Sequence, residues 1–342
     1  VTSVLFVRLS AMGDLVQGLG AIASLHEVRP GWRLSVLTQR PFVPLLDGLP
    51  GIAEVLSFDR RAGLGGLFAA RRTLRARHFD HALDLQGNWK SAWLTALSGA
   101  KRTLGAGATW RREPVSRVLL QRTVSVDGAP HPALVAWRLV RELAPEAPFR
   151  WPGLRATAAE CAAEAAALAG LGIAADRPFR VVVVGDPRDP RALRPATVAG
   201  CVADRDRPVL LLLGPAEAGL SDPAGAPVLR HRAGELRRLV ALGALLARAG
   251  GDVLGPDQGA THVLAAAGAR CRVWFGSQDP QRTAPPAAEA FVAPAGPACR
   301  PCSRRRCHHP GGPVCMQFGL AEGVAVPTRL PEPGTVAPPA SA

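Results

Sequence analysis

The sequence predicts an α/β protein of two doubly wound halves with parallel sheets facing across a cleft, and three observations carry that prediction. Short apolar, β-branched or Leu-rich runs recur at 4–7 (VLFV), 33–38 (RLSVLT), 54–58 (EVLSF) and 81–86 (HALDLQ), with helix-compatible stretches such as 14–28 between them. That alternation builds a parallel sheet. It restarts after the Pro- and Trp-containing APEAPFRWPG, with apolar runs at 179–185 (FRVVVVG) and 208–214 (PVLLLLG), then 252–255 and 271–276, the pattern of strands buried on both faces. Finally, 342 residues exceed what one core usually organises, since single cores stop growing near about 250–300 residues.

The elements set the boundaries. A helical stretch at about 131–144 closes a first domain over 1–150. Residues 151–177 read as a linker, 178–327 as a second domain and 328–342 as a Pro-rich tail, where PTRLPEPGTVAPPASA is too rich in proline for regular structure. LAEGVAV before the tail reads as a helix of at most two turns.

Composition narrows the class. An apolar fraction of 48% with 20% charged residues excludes wholesale disorder and a collagen-like chain. The formal charge of +14 is carried by arginine, because Lys90 and Lys101 are the only lysines; it favours anionic partners without naming one. No run of 18 apolar residues occurs, and the sequence opens on a strand-like VLFV instead of a basic segment with an apolar core, so the chain is read as soluble and cytosolic.

In open α/β sheets ligands gather at the carboxyl ends of the strands, and the unusual residues fall there. After the first strand comes Arg8-Leu9-Ser10-Ala11-Met12-Gly13-Asp14, which is not a GxGxxG fingerprint. Asp14 sits at a loop-to-helix junction, where it serves either as a first-turn acid completing the helix N-terminus or as a general base. In the second half Gly255-Pro256-Asp257-Gln258-Gly259-Ala260-Thr261-His262 feeds a helix; free N–H groups and the positive dipole end there suit a diphosphate. Cys299, Cys302, Cys307 and Cys315 are clustered with C-x2-C-x4-C-x7-C spacing. A structural zinc, disulfides and free thiols all stand open for them.

These blocks, in this order, resemble glycosyltransferase family 9, the lipopolysaccharide heptosyltransferases, across residues 3–318. RLSAMGD resembles the family's R/K-x-S-x-[ML]-G-D, DLQGNWKS its D-x-Q-G-x-x-K-S block, WRREP its R-E-P element, GPDQGATH its G-x-D-[ST]-G-x-x-H block, and FGSQDPQRTAP its F-G-x-T-D-P-x-R-x-x-P loop. The resemblance implies the GT-B architecture of two Rossmann-like domains. It also implies an inverting transfer of heptose from ADP-heptose to a Kdo- or heptose-bearing lipid A inner core, with Asp14 as the base.

For the donor it implies the Gly259 backbone and His262 on the phosphates, Asp257 on the sugar hydroxyls, Gln258 in place of the usual Ser or Thr, and Glu217 of Gly214-Pro-Ala-Glu on the nucleoside. Ala192 stands where relatives carry a phosphate-binding Lys, so Arg191 beside it is assigned that charge, as a planar fork in place of an ammonium. The acceptor pocket falls to Gln86, Lys90, Arg60, Arg61 and Arg112, since Arg forks and a Lys point charge grip phosphate. No cofactor is needed for this chemistry, nucleic acid is not a partner, and the expected location is the cytoplasmic face of the inner membrane, peripheral on its anionic surface. The alternatives are a catalytically degraded glycosyltransferase-like binding protein and a family 9 enzyme using another nucleotide sugar. A basic nucleic-acid binder lacks a reader motif, and an NAD-linked oxidoreductase lacks GxGxxG in either half.

Overall fold

The computed structural model describes residues 1–59, 61, 63–126, 131–204, 206–217, 226–232, 234–285, 287–319, 321–328, 330–332 and 334–335. It divides into two compact units, Val1–Pro152 with Leu330–Ala342, and Gly153–Arg329.

In the first unit β1 (Ser3–Val7), α1 (Met12–Val28), β2 (Arg33–Gln39), α2 (Val43–Leu46), β3 (Glu54–Phe58), α3 (Gly63–Arg75), β4 (His81–Asp84), α4 (Trp89–Leu97), β5 (Arg102–Ala106), β6 (Arg122–Val124) and α5 (Pro132–Arg141) follow one another. The sheet order is β3-β2-β1-β4-β5-β6, with every pairing parallel. β1 is central because VLFV is apolar on both faces and all of Val4–Val7 is buried. α1 packs against α5, while α3 and α4 send Leu74 and Leu94 into a common core with Leu5, Val7 and Phe58. The order reverses beside β1, between β2 and β4, which is where a doubly wound sheet opens its ligand crevice.

The second unit runs α6 (Ala158–Ala169), β7 (Arg180–Val183), α7 (Pro195–Ala203), β8 (Val209–Leu213), β9 (Val228–Arg230), α8 (Leu236–Ala249), β10 (Asp252–Pro256), α9 (Gly259–Ala266), β11 (Arg270–Phe275), α10 (Pro280–Thr283), β12 (Glu289–Val292) and β13 (Val324–Val326). Its sheet order is β13-β12-β11-β10-β7-β8-β9. All neighbours are parallel except β12 and β13.

Three expectations change. The segment 151–177 is not a free linker: α6 lies within it, begins with Thr157 capping Glu160, and is clamped to α8 by Arg237–Glu160 and Arg238–Glu164. The Arg237 hydrogen bond lowers the Glu160 carboxyl from 4.5 to about 2, against a smaller desolvation effect and helped by the Thr157 backbone. That clamp is therefore complete above the ordinary glutamate range and is lost as pH falls toward 2. LAEGVAV is not helical either, because its β-branched end pairs antiparallel with β12, Ala290 opposite Val326. Beyond it the chain rejoins the first unit, where Phe149 and residues 334–335 exchange backbone hydrogen bonds, Gly334 N to Phe149 O and Phe149 N to Thr335 O, each at 2.9 Å.

Candidate functional site

The residues singled out in the first unit collect beyond the ends of β1 and β4. Arg8 leaves β1 buried, donates from Nη1 to the Leu85 carbonyl, and forms an ion pair through Nη2 with Asp14 Oδ2. Asp14 lies in the first turn of α1, where it also accepts from the Ala11 backbone N–H at 3.4 Å. The first-turn role and an outward-facing carboxylate thus coexist, since a third of the side chain (33%) stays exposed. Arg8, a member of the motif that carried no assigned role, is what orients it.

The Gln86 Oε1 accepts from Leu9 N at 2.7 Å and Ser10 N at 3.2 Å, so the amide oxygen holds the loop between β1 and α1. Behind it Asp84 accepts from Gln86 N and Gly87 N at 3.0 and 3.1 Å and pairs with Arg111 Nη2 at 2.6 Å, both side chains 0% exposed. Arg111 also reaches Ser116 Oγ. Of the two arginines in WRREP, one is a structural pillar and the other, Arg112, is exposed.

Glu113 then accepts from Trp89 N at 2.6 Å, which brings Arg112 and Lys90 to adjacent positions around that bond. Both are exposed and without an ion-pair partner among the described residues. Arg61 is exposed, with its backbone N–H on Asp59. Arg60 lies outside the described residues.

In the second unit the donor candidates gather at the end of β10. Asp257 and His262 form a buried pair, Oδ1 to Nε2 at 2.9 Å, and Thr283 Oγ1 donates to the other Asp257 oxygen at 3.0 Å. His262 is thus turned onto Asp257 through Nε2, which fixes the turn that carries both. Thr283, to which the sequence analysis assigned no role, joins the FGSQDPQRT loop to the turn. The signal that would have found it is its place one helical turn after the Asp279 cap.

Gln258 and Gly259 open α9, where the first-turn N–H groups have no intrahelical acceptors. Gln258 lies over Gly185, at φ +87°, where a Cβ would come within 2.6 Å of its amide. Its side chain fills the space that a Ser or Thr leaves open. Arg191 donates to the Asp257 carbonyl at 3.0 Å while Asp189 grips its guanidinium. Ala192 is fully buried, so the cation nearest the turn stands one residue before the position where relatives place lysine. Glu217 is also buried, and its Oε2 accepts from the Gly214 N–H, so the carboxylate caps its own turn.

Cys299, Cys302, Cys307 and Cys315 line one cavity together with Ser277, His309 and Pro190. All are free thiols, and no three Cys, His, Asp or Glu side chains among the described residues are set to hold one metal ion. Of the four, Cys315 is buried, Cys302 half-buried, and Cys299 and Cys307 exposed. Elsewhere burial pushes the Cys201 thiol up to about 11 and Cys271 up to about 12. Native alkylation near pH 8 followed by mass spectrometry is expected to modify Cys299 and Cys307 and to spare Cys201 and Cys271 until the chain unfolds. Protection of Cys299 and Cys307 that a chelator removes would instead restore a bound metal.

Two α/β units, each built on a mostly parallel sheet, are the architecture of the GT-B class. The chain belongs to glycosyltransferase family 9 (heptosyltransferase), whose family model matches residues 67–311. It is 26% identical over 111 residues to the lipopolysaccharide core heptosyltransferase OpsX of Haemophilus influenzae, a match covering 32% of this chain and 32% of that relative. The aligned part is thus about a third of the curated relative's length. The fold is similar to that of a glycosyl transferase family 9 protein from Veillonella parvula (TM-score 0.71, 15% identity, covering 84% of each chain). It is also similar to that of the ADP-heptose lps heptosyltransferase II of E. coli (TM-score 0.66, 20% identity, covering 86% of this chain and 92% of that one). No helix among the described residues is long and apolar enough to cross a membrane.

Proposed function

We propose that the protein is an inverting heptosyltransferase of lipopolysaccharide biosynthesis that moves heptose from ADP-heptose to the Kdo- or heptose-bearing inner core of lipid A. The observation that carries this reading is the second unit's turn, where Arg191 is anchored on the Asp257 carbonyl beside the open N-terminus of α9. Two positive elements at one place, a helix dipole end and a guanidinium, match a departing nucleoside diphosphate. The names of the two heptosyltransferases above, a lipopolysaccharide core enzyme and an ADP-heptose enzyme, support the acceptor class and the sugar.

In the proposed reaction Asp14 takes the proton of the acceptor hydroxyl as that oxygen attacks the anomeric carbon, and the bond to the diphosphate breaks with inversion. The charge that develops on the leaving phosphate is met by the α9 N–H groups and Arg191. These groups supply the stabilisation that a divalent ion supplies elsewhere, so catalysis is proposed to need no metal. Lys90, Arg112 and Arg61 are free to meet the acceptor phosphates. The site of action is the cytoplasmic face of the inner membrane, with the protein held peripherally on its anionic surface.

The test is ADP release from ADP-heptose by the purified protein, with and without Kdo-bearing lipid A and with and without a chelator. Release is expected only with the acceptor and is expected to survive chelation; no release from any nucleotide-heptose would sink the proposal. Arg191→Ala is expected to weaken ADP binding by about tenfold or more in calorimetry, through loss of one charge-assisted contact.

A further inference from the structure

One outer face of the first unit concentrates features that the remaining surface largely avoids. Seven large hydrophobic side chains stand exposed among the described residues, and five of them, Phe68, Trp89, Trp93, Val115 and Val118, lie on α3, α4 and the 3-10 turn Pro114–Leu119. These segments are neighbours, since α4 packs against both α3 and the turn. Leu74 and Leu94 of the two helices enter the core beneath, so the exposed side chains point away from the sheet. Trp89 and Trp93 sit one helical turn apart on α4, and Phe68 and Arg72 do the same on α3.

The charge on these three segments has one sign, and Glu113, just before the turn, accepts from Trp89 N. The segments GLGGLFAARRTLR, WKSAWLTAL and PVSRVL contain no carboxylate, yet they carry Arg71, Arg72, Arg75, Lys90 and Arg117, all exposed. Many of the described arginines elsewhere are matched by a carboxylate, as in Arg77–Glu54, Arg150–Glu27, Arg188–Asp186 and Arg270–Glu289. Unmatched cations interleaved with Trp and Phe are the chemistry of an anionic lipid interface. There aromatic rings sit at headgroup depth and long basic side chains reach the phosphates.

We propose that the α3, α4 and Pro114–Leu119 face is the membrane-docking surface, and that its occupant is a bilayer containing acidic phospholipid. The inference deepens the peripheral attachment stated above, and it is independent of the sugar chemistry.

Sedimentation with phosphatidylcholine vesicles, with and without phosphatidylglycerol, tests it. The wild-type protein is expected to bind only the anionic vesicles, and more weakly as salt rises. Arg71→Glu with Arg72→Glu is expected to weaken that binding roughly 30-fold or more, and Phe68→Ser with Trp93→Ser about tenfold, with melting temperatures unchanged. Arg177→Glu with Arg248→Glu, an equal charge change on exposed residues of the second unit, is expected to leave binding nearly intact. If the wild type binds but the face variants bind equally well, or the control pair loses as much, the face is wrong while peripheral attachment stands. If the wild type binds neither kind of vesicle, both fall. A concentration-dependent dimer that Phe68→Ser with Trp93→Ser abolishes would assign the face to a second copy of the chain and overturn the proposal.

Discussion

Asp14→Asn is expected to lower acceptor-dependent ADP release by about 10²–10⁴-fold, the usual contribution of one positioned general base, while ADP binding stays within about twofold of the wild type. The asparagine keeps the size of the side chain and an oxygen for Arg8, so the loop has little reason to move. The charge that pairs with Arg8 goes with the capacity to take a proton, so the melting temperature is measured beside the rate to separate the two losses. In the proposed reaction Arg8 is a positioning residue, because its guanidinium spans the Leu85 carbonyl and the Asp14 carboxylate from a buried location. Arg8→Lys retains the charge but loses the fork, and a fall in kcat with little change in the donor KM is the expected signature. An Asp14→Asn protein that releases ADP at the wild-type rate would remove the base from the mechanism and leave Asp14 as a helix-end residue.

The largest expected effect on stability lies at Asp84–Arg111, where both side chains are fully excluded from water. Arg111→Met leaves a buried carboxylate with two backbone N–H donors and no counter-charge. Breaking such a pair from one side typically costs about 3–5 kcal/mol, which for a unit of this size corresponds to a melting temperature lower by about 10 °C. Adding Asp84→Asn is expected to restore part of the loss, because the uncompensated charge disappears with it. Arg111→Met also frees the chain between β5 and the Pro114–Leu119 turn, so activity is expected to fall along with stability through the displacement of Arg112. A single variant that melts within about a degree of the wild type would mean that the pair contributes nothing net.

Much of the architecture is legible in the sequence. The runs at 4–7, 33–38, 54–58 and 81–86 became β1 to β4, and those at 179–185, 208–214, 252–255 and 271–276 became β7, β8, β10 and β11. Strands buried on both faces must be apolar throughout, and nothing else in a soluble chain writes that pattern so plainly. The edge strands β6, β9 and β13 escaped because they are three residues long, too short to show a period, and the interior strands β5 (RTLGA) and β12 (EAFV) escaped because they are not apolar throughout. α6 hid in an alanine-rich stretch that read as linker, since its stability rests on Arg237 and Arg238 reaching back from residues more than 70 positions away.

The site divides the same way. Residue order along the chain by itself determined that a carboxylate follows β1 and that a glycine-bearing turn opens α9, because motifs at strand ends are local and covalent geometry delivers them. Only the tertiary structure decided how each side chain spends its hydrogen bonds. Gln86 is given to the Leu9–Ser10 backbone, Glu217 to Gly214, His262 to Asp257, and Arg111 but not Arg112 to a buried acid. Those choices follow from burial, since a polar group taken out of water must find a partner among whatever the fold places beside it, and those neighbours come from segments that the sequence keeps far apart.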